Sequence, residues 1–358
     1  MNWKLDFDRA PLLLIWEVTR SCMLACQHCR ASAVDYRDPL ELTTDEGRAL
    51  IDDVAEMGTP VLVFSGGDPL QREDLEDLVR HARSKRLTVG TIPATTPRLT
   101  WDRVRSLRDA GVHQMALSLD GATEAKHDEF RRVPGTFAKA MEAARWIREA
   151  GVPLQINTVF GAWNVDDFDA ISEMVQSLGI VFWEVFFLVP TGRGSALQGC
   201  SAEQMEFLFG KLYELSKRVK FVIKITEGQH FRRFVAQQQA LETEGEAHGR
   251  LMMSGRPVNS AHGFCFVDHL GNVSPSGFLP IPCGNVRERK ASEIYREHRV
   301  FRELRDYSKL KGKCGVCEYR DQCSGGSRAR AYALTGDYME AEPYCMHEPR
   351  GSLAGLAV

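Results

Sequence analysis

Long apolar runs are missing from this chain. None approaches the roughly 18 residues that a bilayer-spanning helix needs, so no membrane association is expected. The opening stretch MNWKLDFDRAP lacks the basic-then-apolar pattern of a secretory signal, and the expected compartment is the cytoplasm. No charge of one sign prevails. Lys and Arg number 45 against 48 Asp and Glu, a net −3, which leaves no basic surface for nucleic acid and no charged tail of the disordered kind. What is present is bulk and sulfur. The 358 residues are 44% hydrophobic, enough for one large domain and a smaller one. Ten are cysteines, and in a reducing compartment these point to metal or redox chemistry rather than disulfides.

Six short apolar runs read as strands: LLLIWEVT (12–19), VLVFSGG (61–67), LTVGTIPAT (87–95), QMALSLDG (114–121), LQINTVF (154–160) and VFWEVFFLVP (181–190). Several are near-continuous in Val, Ile, Leu and Phe, as strands covered on both faces are. Amphipathic helical patterns separate them. The first, TTDEGRALIDDVAEMG (43–58), has Thr43 or Thr44 as its N-cap and Gly58 as its stop. Others are REDLEDLVRHARSKR (72–86), TWDRVRSLRDAG (100–111), TFAKAMEAARWIREAG (136–151) and DDFDAISEMVQSLG (166–179). Repeated strand–helix units predict a parallel sheet with right-handed crossovers. Curled, it makes a full or partial barrel with its chemistry at the C-terminal strand ends; a flat doubly wound sheet has the same periodicity. Beyond residue 190 the pattern predicts a helix near 201–218, a strand at 221–227 and a hairpin at 264–278 turning at Gly271-Asn272. Residues 236–262 are polar and broken, and read as a linker or flexible cover.

The cysteines fall in two groups. Cys22, Cys26 and Cys29 form CMLACQHC, directly after the first strand and hence at the barrel mouth. Cys265, Cys283, Cys314, Cys317, Cys323 and Cys345 lie in the last hundred residues, and Cys200, alone between, reads as a small buried residue. Three thiolates leave one iron of a four-iron cluster without a protein ligand, and such an iron can bind a small molecule; four-cysteine ligation usually makes an electron-transfer centre. A zinc site completed by His28 is the alternative from the residues alone.

CMLACQHC resembles the CxxxCxxC signature of the radical S-adenosylmethionine (SAM) superfamily. That resemblance implies a four-iron–four-sulfur (4Fe–4S) cluster held by Cys22, Cys26 and Cys29. Its open iron chelates SAM, and the reduced cluster cleaves SAM to a 5′-deoxyadenosyl radical that abstracts hydrogen from a substrate. His28 stands where the family often has an aromatic residue beside the adenine. SGGDP (65–69), after the second strand, is an ordinary turn by itself but resembles the family's GGEP motif for the SAM amino group. It carries Gly66, Gly67, Asp68 and Pro69, with Asp68 for Glu. By the same resemblance Ser118 of SLDG and Arg131 of HDEFRRVPGTF contact SAM, with Asn157 and Val189 as further candidates for that pocket. From composition alone Arg131 is equally readable as a solvated charge.

In the tail, Cys314, Cys317, Cys323 and Cys345 supply four thiolates, enough for a closed cluster or a zinc ion. The spacing resembles the SPASM domain, the auxiliary-cluster extension of many radical SAM enzymes, and implies one complete auxiliary 4Fe–4S cluster. Cys265, Gly277 and Cys283 fit the opening of that domain. Ser327 occupies the position of a further family cysteine, which leaves a second auxiliary cluster incomplete or absent.

The expected architecture is therefore α/β: a partial (β/α)6 barrel, TIM-like, over residues 1–235, the linker at 236–262 and a SPASM-like cluster domain over 263–358. The expected protein is a radical SAM oxidoreductase or lyase. APLLLIWEVTRSCMLACQHCRASA, FFLVPTGRG and CEYRDQCSGGSRARAYALTGDY resemble most the SPASM enzymes of alternative haem and d-type haem biosynthesis. This implies a carboxylate-bearing small-molecule substrate, a porphyrinoid, and a reductant such as flavodoxin or ferredoxin. Peptide maturases and sugar- or nucleoside-modifying relatives are the alternatives within the superfamily, and a non-catalytic zinc protein is the alternative outside it. TEGQHFRR, following the strand at 221–227, offers Glu227, His230, Arg232 and Arg233 as substrate-holding candidates or as a solvated helix start.

Overall fold

The computed structural model describes residues 5–242, 251–252 and 256–350. All six apolar runs are strands: β1 (Leu13–Glu17), β2 (Val61–Ser65), β3 (Thr88–Thr91), β4 (Gln114–Ser118), β5 (Leu154–Phe160) and β6 (Phe182–Phe187). They pair in chain order, each parallel to the next, and β7 (Val222–Thr226) adds in parallel to β6. The predicted hairpin is present, but it is not separate from the barrel. Its first strand, β8 (Phe264–Val267), pairs in parallel with the free edge of β1. β9 (Asn272–Ser274) and β10 (Gly284–Asn285) continue the sheet antiparallel, giving ten strands in the order β10-β9-β8-β1-β2-β3-β4-β5-β6-β7.

Helices follow the strands: α1 (Thr44–Met57), α2 (Leu75–Ser84), α3 (Trp101–Ala110), α4 (Glu124–Arg131), α5 (Thr136–Glu149), α6 (Phe168–Ser177), α7 (Ala202–Arg218) and α8 (Phe231–Gln239). Thr43, not Thr44, caps α1, in a reciprocal capping box with Glu46. Gly58 and Gly111 end α1 and α3 in the left-handed conformation that glycine adopts without strain. Strand alternation sends Leu14 and Trp16 outward, both fully buried beneath the helices. Gly47 lies on Trp16 so closely that a Cβ there would meet the indole at 2.4 Å, which is why a helix interior carries glycine. The other strand face lines a partly exposed lumen, and β1 to β7, parallel throughout, end at the same mouth.

Of the stretch 236–262 expected as a linker, residues 236–239 complete α8 and Asn259, Ser260, Ala261 and His262 are buried. Residues 243–250 and 253–255 of it lie outside the described residues. Among the described residues, no helix is long and apolar enough to cross a membrane.

Candidate active site

The loop after β1 carries Cys22, Cys26 and Cys29. Cys22 and Cys26 are buried against Leu24, with Cys29, Ala33, Ala94 and Val133 around them. Burial, and next the charges of Asp68, Cys26 and Cys29, push the Cys22 thiol up to about 12. The loop is held by its backbone. Cys22 N donates to Val34 O at 2.7 Å, and Arg20 Nε and Nη2 donate to Ala31 O and Ser32 O. Arg193, in the TGRG turn after β6, donates to Cys26 O at 3.0 Å and Ala33 O at 2.9 Å. Gly192 of that turn, at φ +56°, lies where a Cβ would be 2.3 Å from Arg30 O.

SGGDP docks on the same loop. Gly67 N donates to Thr19 O at 2.8 Å and Asp68 N to Ser21 O at 2.7 Å. A Cβ on Gly67 would be 2.4 Å from Ser21 O, and one on Gly66 2.7 Å from Thr19 O, so both glycines serve contact between two loops. The Asp68 carboxylate is fully buried and turned inward. It accepts from Leu70 N at 3.1 Å, Ala94 N at 3.3 Å and Thr96 Oγ1 at 2.7 Å. Burial raises its pKa, against those three bonds. Pro69 follows at the start of a short 3-10 turn.

Arg131 is no solvated charge. It closes α4 with its side chain buried, directs Nη1 at Cys26 Sγ over 3.5 Å and pairs through Nη2 with fully buried Asp120. Asp120 Oδ1 accepts from Val159 N at 2.8 Å, and the Arg131 charge holds its carboxyl low against the cost of burial. His28 stacks on Phe130 at 4.8 Å and 8°, and Phe130 stacks on Trp163 at 4.9 Å. Ser118 and Asn157 face each other across β4 and β5 in the lumen, and Val189 is buried in the core beyond β6.

The lumen holds polar groups that sequence reasoning missed. Glu184 accepts from Lys224 Nζ and Thr226 Oγ1, both at 2.6 Å, and from Gln155 Nε2 at 2.8 Å; Gln155 also donates to Asn157. At the mouth, Glu17 accepts from Arg30 at 2.5 Å and shares a hydrogen bond with His269 Nδ1 at 2.9 Å. Arg30 lies 4.5 Å over the Phe266 ring, and Phe278 packs at 6.2 Å from Phe186. The signal was there as period-two alternation: QMALS, LQINT, FWEVF and VIKIT each place polar residues on one face.

The tail cysteines meet. Cys314, Cys317, Cys323 and Cys345 line one cavity, with His230 and Arg233 in its wall. Backbone N–H groups of Glu342 and Tyr319 reach Cys314 Sγ and Cys317 Sγ, each at 3.4 Å. TEGQHFRR is not the solvated helix start that the sequence also allowed, since Glu227, His230 and Arg233 are buried. Glu227, at φ +56°, accepts from the Ser327 hydroxyl, Arg233 pairs with Glu206, and His230 is 1% exposed on the tail cavity. Burial lowers the Arg232 pKa, with the charges of Cys323 and Tyr307 acting against it. Cys265 and Cys283 are buried in the core, and burial pushes the Cys283 thiol up to about 12. Ser327 is fully buried; it caps the helix Arg328–Thr335 besides bonding Glu227.

The sulfur spacing bears on what each set holds. Tetrahedral zinc with Zn–S near 2.3 Å draws its sulfurs to within about 3.8 Å of one another. Among the described residues, the trio of candidate ligand atoms within 4.8 Å of one another is Cys317, Glu318 and His347, so neither cysteine set is gathered around a single ion. Three thiols on one loop and four around one cavity are the donor sets that a cluster takes.

The family model described as the radical SAM superfamily matches residues 16–175. The chain is 41% identical to an AdoMet-dependent heme synthase of Methanosarcina barkeri, over 95% of this chain and 97% of that one. It is 40% identical to an AdoMet-dependent heme synthase of Oleidesulfovibrio alaskensis, over 96% of this chain and 89% of the relative. Among solved structures, Streptococcus suis SuiB bound to S-adenosylmethionine superposes with a TM-score of 0.75 at 15% identity, over 95% of this chain and 78% of SuiB, a likeness of fold.

Proposed function

The chain belongs to the radical SAM superfamily, and from that premise we propose that it removes carboxyl groups oxidatively from the side chains of a porphyrinoid in haem-type biosynthesis. The observation that carries this reading is identity of 40–41% to haem synthases over nearly the whole of both chains. The family brings a 4Fe–4S cluster and SAM; when bound, they supply a 5′-deoxyadenosyl radical able to take one hydrogen from the substrate.

The chain's own residues supply place and charge. Cys22, Cys26 and Cys29 are the ligands that leave one iron open. The backbone of Gly66 and Gly67 fixes the loop against which the SAM amino group lies, and Asp68 braces that loop from within. Arg131 faces the sulfur of Cys26 and offers SAM a buried guanidinium whose Nε has no partner. The His28–Phe130–Trp163 stack is a platform for adenine, and Ser118, Asn157 and Val189 border the same pocket. Phe186, Phe266 and Phe278 give flat apolar walls for a macrocycle. Arg30, 20% exposed, and Lys224, 22% exposed, are the cations that would orient its carboxylates. Orientation decides the outcome, because the radical must reach one C–H bond and no other. Cys314, Cys317, Cys323 and Cys345 would hold one auxiliary 4Fe–4S cluster, which supplies one-electron transfer. The chain would work in the cytoplasm with a reductant such as flavodoxin or ferredoxin.

The test is anaerobic incubation of the reduced, reconstituted enzyme with SAM and a panel of carboxylated porphyrinoids, sugar acids and short peptides. Loss of carbon dioxide from a porphyrinoid supports the proposal. A new crosslink in a peptide, with every porphyrinoid unchanged, overturns it in favour of a peptide maturase.

A further inference from the structure

Among the described residues, His230 is the one histidine in the wall of the four-cysteine cavity whose ring is 1% exposed and has both nitrogens buried without a partner. A buried imidazole left unpaired is costly. Its nearest carboxylate, Glu342, stands at 3.9 Å from Nδ1, too far for a hydrogen bond. The ring is nonetheless held in place. It opens α8 straight after the left-handed turn at Glu227, and Phe209 meets it edge-on at 4.9 Å. Around the same cavity other donors already point at sulfur: Glu342 N at Cys314, Tyr319 N at Cys317, and Arg233 Nη2 at Cys345 over 3.9 Å.

We propose that His230 is a positioning residue for the auxiliary cluster, its ring N–H donating to a sulfur at the cavity and so raising the cluster's reduction potential. This rests on the reading that Cys314, Cys317, Cys323 and Cys345 hold that cluster. A donor to sulfur stabilises the more negative, reduced form, so each N–H···S bond favours reduction. The other three donors come from backbone or from an arginine tied to Glu206. His230 is the donor that a single side-chain change removes without touching a ligand.

The experiment uses the full chain with Cys22, Cys26 and Cys29 changed to Ala, so that the tail is the remaining cluster site. Redox titration followed by electron paramagnetic resonance then compares His230, His230→Leu and His230→Gln. With iron content equal, His230→Leu should lower the ratio of reduced to oxidised cluster at fixed potential about tenfold, a shift of about 59 mV for one electron. His230→Gln, which keeps a donor, should recover part of it. The exchangeable-proton coupling of the parent should weaken in His230→Leu. An unchanged potential with iron retained overturns the proposal. So does strong nitrogen coupling in the parent together with iron loss in His230→Leu, which would make the imidazole a ligand. If the parent itself binds no iron, or binds zinc, the cluster reading fails first and takes the proposal with it.

Discussion

The pair Asp120–Arg131 offers a quantitative test of how the site is braced. Arg131 is 9% exposed in its side chain and Asp120 not at all. Asp120→Asn keeps the shape and an acceptor for Val159 N but removes the charge that answers Arg131. Arg131→Met removes the guanidinium and leaves the Asp120 carboxylate buried with that one backbone donor. Breaking a buried pair from either side costs about 3–5 kcal/mol, because the survivor is an uncompensated charge. Replacing both removes both uncompensated charges, so Asp120→Asn/Arg131→Met should cost about 1–2 kcal/mol, less than either single change. The coupling energy is then at least about 4 kcal/mol. Anaerobic urea unfolding of the four proteins, at equal iron content, measures it. Single changes that cost under about 1 kcal/mol each, or that simply add in the double variant, would refute the reasoning. SAM binding separates the second role of Arg131: Arg131→Lys retains charge without the fork, and should weaken binding even where stability is largely kept.

Three further outcomes are expected. Gly67→Ala forces a Cβ to within 2.4 Å of Ser21 O, so the two loops must part; two backbone hydrogen bonds loosen, and SAM affinity measured by equilibrium binding should fall at least tenfold. Iron analysis should find about eight per chain, about four after Cys22, Cys26 and Cys29 are changed to Ala, and no loss on Cys265→Ser/Cys283→Ser, whereas about twelve would reveal a second auxiliary cluster. The Glu17–His269 pair should give stability a maximum in pH. Glu17 is held low by Arg30 and His269 against the cost of burial, so its contribution is present above the ordinary 4.5 and fades as pH falls through the lower folded value. His269 is held high by Glu17 against burial, so its contribution is complete below the ordinary 6.5 and fades as pH rises through the higher folded value. Urea midpoints across pH should lose the alkaline limb in Glu17→Gln.

The strands and the three-cysteine loop were legible because each is a local pattern: apolar runs, helix stops, sulfur spacing. What was not legible depends on facing. α4 holds only His127, Phe130 and Arg131 buried, so a helix whose inward face is mostly a charged residue and a histidine shows no apolar stripe. The polar residues of the lumen were visible as alternation in β4 to β7, but which of them meet depends on the register between strands, which no local pattern encodes. β8 joined the sheet at β1, two hundred and fifty residues away in sequence, a pairing that no local pattern encodes. His230 and Arg233 carried the right chemistry for a site, but that they line the cavity of the tail cysteines is a long-range contact that no local pattern encodes. Ser327, in place of a cysteine, was visible as a departure; its role as helix cap and partner of Glu227 needed the fold.

The central claim is that this chain directs a SAM-derived radical onto a porphyrinoid side chain bearing a carboxylate. The most direct measurement supplies a carboxylated porphyrinoid with deuterium at the side-chain carbon next to the ring and follows the label into 5′-deoxyadenosine. The account predicts deuterium in the deoxyadenosine in step with loss of carbon dioxide from the porphyrinoid, and neither in the variant with Cys22, Cys26 and Cys29 changed to Ala. Unlabelled deoxyadenosine from the intact enzyme, with the porphyrinoid recovered whole, would contradict it.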